Sequence, residues 1–248
     1  MSDIGLIDRT IPSRDLELEM RVKNIKRASE VIAQSLIEMI YDGELRPGDQ
    51  LKQENIADIF GVSRIPVRDA FMYLVSLGLA VNVPRKGIFV SPVSRKTLAE
   101  LYETRRILEG GAIRLAVKRC DQNLLRALEA IVEKQERIRN MPEIDVKLAR
   151  ELDGEFHRTL FSKIDNSVLV ELIFNNWMRI KQARSLSRIQ PKALVDWVDK
   201  SIAGHRKVLN ALAIKDEERA YRIVIENIVR SEEEVITHLE ESGWLAVR

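Results

Sequence analysis

Residues 60–71 read Phe60-Gly61-Val62-Ser63-Arg64-Ile65-Pro66-Val67-Arg68-Asp69-Ala70-Phe71, and this stretch decides the reading of the chain. Gly61 suits the left-handed residue that ends a helix. Ser63 suits the cap that starts the next one, and Pro66 falls in its first turn, where a missing N–H costs little. Two helices joined by so short a turn form a helix-turn-helix. Arg64 and Arg68 stand four apart, so they share one face of the second helix near its start. That is where side chains meet base edges in a major groove, and an arginine fork matches O6 and N7 of guanine.

Working outward, Gln53–Phe60 forms the preceding helix, with Ile56, Ala57 and Phe60 inward. Asn55 near its start is a candidate contact to backbone or base. A first helix begins at Ala28, with Val31, Ile32, Ser35, Leu36, Met39 and Ile40 on one stripe, and it ends before Gly43 and the turn Arg46-Pro47-Gly48. Downstream, Leu79–Val83 and Ile88–Val90 are β-prone runs around Pro84-Arg85-Lys86-Gly87, a hairpin with a basic tip. Between Gly61 and Lys96 six basic residues face one acid, Asp69, an excess that the whole-chain charge of +2 conceals. Residues 28–92 therefore read as a winged helix-turn-helix that binds DNA, and residues 1–27 as an extension with room for a short helix over 16–26.

After Pro92 the strand signal disappears. Ser94 and Asp121 cap helices over 95–119 and 122–140, and further helices follow over 143–163, 167–188, 191–213 and 216–241. Residues 93–248 thus read as an all-α antiparallel bundle, and the whole chain as mostly α. One cysteine, Cys120, excludes an internal disulfide and fits a small buried residue in a reducing compartment. No run approaches the ~20 apolar residues that cross a bilayer, and no cleavable leader is evident, so the expected location is cytoplasmic.

Asp153 and His157 are one helical turn apart and can ligate one cation together, or simply bond to each other. His205 falls mid-helix, in the bundle position where metal sites are built. His238 near a helix end complements the dipole there. Arg105 is the candidate for pairing with an effector carboxylate, against a structural bridge to Glu103 or Glu109.

Leu45-Arg46-Pro47-Gly48-Asp49-Gln50-Leu51, Gly61 to Ala70, Gly78-Leu79 and Gly87-Ile88-Phe89-Val90 resemble the GntR family of bacterial transcriptional regulators. The resemblance implies operator contacts from Arg64 and Arg68, with Ser63 at the helix start and Lys86 and Gly87 at the wing. The family often carries a basic residue where Asn55 stands. Leu101 to Glu109 and Asp153-Gly154-Glu155-Phe156-His157 resemble the FadR-type FCD domain, an all-helical ligand sensor. That resemblance implies a divalent ion of the Zn, Ni or Mn kind held by one aspartate and three histidines. Asp153, His157 and His205 match, and Asn227 stands in the third histidine's place. An amide oxygen there is a weaker ligand for softer ions.

The expected function is a homodimeric DNA-binding regulator, in the usual case a repressor, whose operator affinity responds to a small carboxylate. The competing classes are a metal-dependent enzyme, an architectural DNA-binding protein without effector, and a helical scaffold. Against the enzyme stands the absence of His-Glu-x-x-His, phosphate-loop and Gly-x-Ser-x-Gly motifs.

Overall fold

The computed structural model describes residues 16–186 and 191–245. Residues 1–15 of the expected N-terminal extension lie outside the described residues. The chain divides into two compact units, residues 1–91 and 92–248.

In the first unit, α1 (Leu16–Tyr41) precedes β1 (Gln50–Leu51), α2 (Gln53–Phe60), α3 (Arg64–Ser76), β2 (Ala80–Val83) and β3 (Gly87–Val90). The first helix begins at Leu16 rather than Ala28, so the short helix expected over 16–26 and the one after it are continuous. Its buried stripe is Ile32, Ala33, Leu36, Ile37 and Ile40, while Val31 is 59% exposed. The expected stripe was thus turned by part of a residue step: Val31 and Met39 flank it, and Ala33 and Ile37 complete it. Helix α1 packs against α3, whose Val67, Phe71 and Leu74 are fully buried, and each large buried side chain contributes about 1.5–3 kcal/mol by leaving water.

The wing is a three-stranded antiparallel sheet in the order β1-β3-β2. Val81 pairs with Phe89 and Val83 with Gly87 across the hairpin. The two-residue β1 completes this sheet at its edge. Its Gln50 and Leu51 pair with Phe89 and Ile88, nearly forty positions away, and no local pattern announces so short a strand.

The second unit contains α4 (Arg95–Arg119), α5 (Gln122–Arg139), α6 (Val146–Phe161), α7 (Ser167–Ser185), α8 (Pro191–Ala213) and α9 (Glu217–Glu241). Residues 187 and 188 of the seventh expected helix lie outside the described residues. Five helix starts are capped by side chains: Ser94, Asp121, Asp145, Asn166 and Asp216 each accept the N–H three residues on. Each such cap contributes about 1 kcal/mol. The bundle packs α4 on α9 and α7, and α5 on α6 and α8, around Tyr102, Ile113, Leu128, Phe156, Phe161 and Leu212. Cys120 is buried in this core, and burial pushes its thiol up. At Gly110 a Cβ would stand 2.8 Å from the Tyr221 ring, so glycine is what lets α4 approach α9 there.

Candidate functional site

The turn between α2 and α3 is built as its sequence requires. Gly61 is left-handed at φ 63°. Val62 N–H donates to Ala57 O at 3.0 Å and Gly61 N–H to Asp58 O at 3.3 Å, the paired bonds that close a helix end. Ser63 occupies the cap position of α3, but its side chain makes no capping bond. Its exposed hydroxyl leaves the helix-start N–H groups open to an outside acceptor. Arg64 and Arg68 are exposed. Arg64 bridges to Glu54 of α2 at 2.9 Å, with both side chains 67% exposed. Asn55 is exposed on α2, and Lys86 and Gly87 are exposed on the wing.

The wing tip is held in place. Gln50 Nε2 donates to Lys86 O at 2.8 Å, and Lys86 N–H donates to Val83 O at 3.0 Å. Gly87 adopts φ 105°, and Arg85 adopts φ 64° without being glycine. Gln50 thus ties β1 to the tip.

The second unit holds an open cleft lined by residues of α4, α6, α7, α8 and α9. At one wall Asp153, His157 and His205 each offer a ligand atom, and these atoms all lie within 4.8 Å of one another. His205 Nε2 is 3.6 Å from Asp153 Oδ1. Two ligands of one tetrahedral ion, each about 2.1 Å from it, sit about 3.4 Å apart.

The neighbours orient this set. Phe156 stacks on His205, with ring centroids 3.7 Å apart. Gln135 Oε1 lies 2.9 Å from His205 Nδ1. With the amide oxygen accepting, Nδ1 carries the proton and Nε2 turns its lone pair toward Asp153. Ser201 Oγ donates to Asp153 Oδ1 at 2.6 Å. His157 Nδ1 is buried with no hydrogen-bond partner among the described residues.

Burial pushes His205 down to about 3 and also lowers His157, so both rings are neutral at pH 7. Burial alone would raise Asp153, but the two imidazoles, Arg184 and the Ser201 hydroxyl outweigh it and hold the carboxyl below its usual value. A carboxylate and two neutral imidazoles, one of them with an orphaned ring nitrogen, fit a divalent cation.

Asn227 lines the same cleft, but its Oδ1 accepts from Arg230 at 3.0 Å. A Cβ at Gly204 would come within 2.9 Å of Asn227 Nδ2, so the amide is packed as well as bonded. Arg105 also lines the cleft, at 11% exposure. Its Nε donates to Glu109 Oε1 at 2.5 Å, and Trp177 Nε1 donates to the same oxygen at 2.6 Å. Burial opposes the Arg105 charge, but Glu109 more than compensates and raises its pKa. The bridge to Glu109 and a place on the cleft wall thus coexist in one residue.

Residues 100–230 match the FCD domain family, and residues 28–90 match the family described as bacterial regulatory proteins, gntR family. The chain belongs to the GntR family and carries an FCD domain. It is 29% identical to the Nta operon transcriptional regulator of Aminobacter aminovorans over 77% of this chain and 86% of that protein. It is 27% identical to the gluconate operon transcriptional repressor of Bacillus subtilis over 87% of this chain and 86% of the repressor. Among solved structures, E. coli McbR/YncC superposes with a TM-score of 0.70 at 23% identity, over 85% of this chain and 97% of the other. That likeness is one of fold. The GntR relatives are DNA-binding transcriptional regulators rather than enzymes, and no helix among the described residues is long and apolar enough to cross a membrane.

Several residues in or behind the cleft of this GntR protein escape sequence reading. Arg184 donates to Ser231 Oγ at 3.0 Å, and Arg230 donates to Asn227. Gln135 and Ser201 brace the histidine and the aspartate. Ser201 stands one helical turn before His205 and Arg230 three residues after Asn227, spacings that place each beside its neighbour. Gln135 and Arg184 come from other helices, and no spacing signals them.

Proposed function

We propose that this GntR regulator is a homodimeric, cytoplasmic repressor whose affinity for a two-fold related operator is set by a small carboxylate held in the FCD cleft. The reading rests above all on the Asp153, His157 and His205 cluster, whose neutral imidazoles face a carboxylate inside an arginine-lined cavity. These three residues would hold a divalent ion, with Asn227 beside them engaged by Arg230. When bound there, such an ion supplies positive charge to which a carboxylate oxygen coordinates.

The chain's own residues do the rest. Arg105, Arg184, Lys200 and Arg230 line the cleft against Glu109, Asp153 and Glu234. Lys200 is bridged to Glu234, and Arg105 is braced by Glu109. Cations therefore exceed anions before any metal is added, which favours an anionic ligand. Arg105 has its Nε edge turned to Glu109, leaving the far nitrogens of the fork to pair with a carboxylate. In the DNA-binding unit, Arg64 and Arg68 read base edges, Ser63 meets the backbone, Asn55 meets backbone or base, and Lys86 and Gly87 carry the wing. A ligand that binds two states of the dimer unequally changes operator affinity by that difference.

The test begins with chelator-stripped protein dialysed against Mn, Ni or Zn. The expected result is one ion per chain, lost in Asp153→Ala. A mobility-shift assay on DNA flanking the protein's own gene then follows, with and without small carboxylates. Uptake equal in wild type and Asp153→Ala, together with operator binding indifferent to every carboxylate, would sink the sensing part. Absence of a sequence-specific complex at modest salt would sink the operator part.

A further inference from the structure

The solvent face of α3 is centred on an isoleucine. Taking Arg64 as zero and about 100° per residue, exposed Arg68, Met72, Ile65 and Asp69 fall at about 40°, 80°, 100° and 140°. The buried residues Pro66, Ala70, Leu74, Val67 and Phe71 fill the arc from about 200° to 340° on the same scale. The two arginines therefore stand to one side of the exposed face, the side from which Arg64 reaches Glu54 of α2. Ile65 and Met72 mark its middle, at 54% and 48% exposure. Of the two, Ile65 lies in the first turn, the end of a recognition helix that meets base edges. A single exposed apolar residue is ordinary. One at the centre of this face, in the same turn as Arg64 and three residues before Arg68, has the groove floor as its natural partner.

We infer that Ile65 is a specificity-determining residue, and that it reads the C5-methyl group of a thymine in the major groove. This rests on the reading of α3 as the recognition helix. The thymine methyl is the one apolar group a base pair presents in that groove. Isoleucine suits the task because a β-branched side chain in a helix is confined to essentially one χ1 rotamer, so little freedom is lost on contact. Pro66, buried immediately after it, fixes the backbone of that turn. The arginines then read guanine from one flank while Ile65 reads thymine from the centre.

The experiment selects duplexes from a random pool with the full-length protein, then replaces each thymine of the selected site by deoxyuridine, which lacks only the methyl group. Wild type should bind about fourfold more weakly when the contacted methyl is missing, the value of one buried methyl-sized group. Ile65→Ala should bind the thymine and deoxyuridine sites equally and select sites with relaxed preference at that position. Its melting temperature should match wild type, since the side chain is exposed. If Ile65→Ala discriminates thymine from deoxyuridine as wild type does, or wild type shows no methyl dependence at any position, the assignment is overturned while the recognition helix stands. If wild type selects no sequence, or Arg68→Ala leaves selection intact, the recognition helix reading falls and Ile65 falls with it.

Discussion

Arg64 and Arg105 are both offered to a negatively charged partner, yet their settings are opposite. Arg64 is 67% exposed, and its nearest acid, Glu54, is as exposed as it is. Arg105 is 11% exposed and rests on a Glu109 that is 1% exposed. An exposed bridge between long side chains contributes little and exchanges readily for another partner. A buried one holds its geometry, because removing either charge strands the other. The DNA-facing unit thus keeps its cations adaptable, suited to a polyanion that must be searched along before it is read. The FCD unit fixes its cations in advance, suited to one small ligand in one pose.

The sharpest way to break this comparison is at the exposed pair. Arg64→Ala combined with Arg68→Ala should weaken operator binding by two orders of magnitude or more, at about 10- to 100-fold per guanine-reading fork. Thermal melting should stay at the wild-type value. A double variant that melts early would mean these arginines hold the unit together.

Next comes the buried cluster. Asp153→Asn should lower divalent-ion affinity by about 100-fold, measured by calorimetry on stripped protein, because a neutral amide replaces the one anionic ligand. Unchanged affinity would place the ion elsewhere. Gln135→Leu touches no metal directly, but it frees His205 Nδ1 from its acceptor and should cost about 10-fold in the same measurement. Gln135→Glu, which keeps an acceptor oxygen, should recover most of that loss.

Smaller effects probe the packing. Gly204→Ala drives a Cβ into the Asn227 amide and should destabilise the protein by about 1 kcal/mol in urea unfolding. Adding Asn227→Ala should relieve the clash, and simple additivity of the two changes would argue against contact. The mildest is Glu54→Gln. It should leave the melting temperature unmoved and tighten DNA binding severalfold, since Arg64 no longer shares its charge with an acid.

Much of the architecture was legible because its signals are local. Gly61, Ser94 and Asp121 mark helix ends through backbone needs that only a few side chains meet. The start of α3 was placed by Ser63 and Pro66, although Ser63 proves to sit at the cap position without capping. Asp153 and His157 were legible as a pair because helical spacing joins them. His205 joined them through family resemblance and mid-helix position. The residues that brace the cleft's walls from behind were not legible. Gln135 faces His205 across 70 positions and Trp177 faces Glu109 across 68, and a period within one helix says nothing of which helix lies opposite. The dual setting of Arg105 was hidden for a related reason. Sequence offered a bridge or a ligand contact as alternatives, whereas a guanidinium has two edges and can serve both.

Trp177 adds a practical consequence. Its indole ring lies 5.4 Å from the His157 ring and donates to the same Glu109 oxygen that braces Arg105. Trp197 lines the cleft itself. Of the three tryptophans in the chain, one therefore lines the cavity and another packs behind two of its lining residues, His157 and Glu109. Their ultraviolet emission is an optical gauge of its contents, readable in the unlabelled protein without DNA, and Trp177→Phe is the change that separates the signal of the residue behind the wall from that of Trp197 on it.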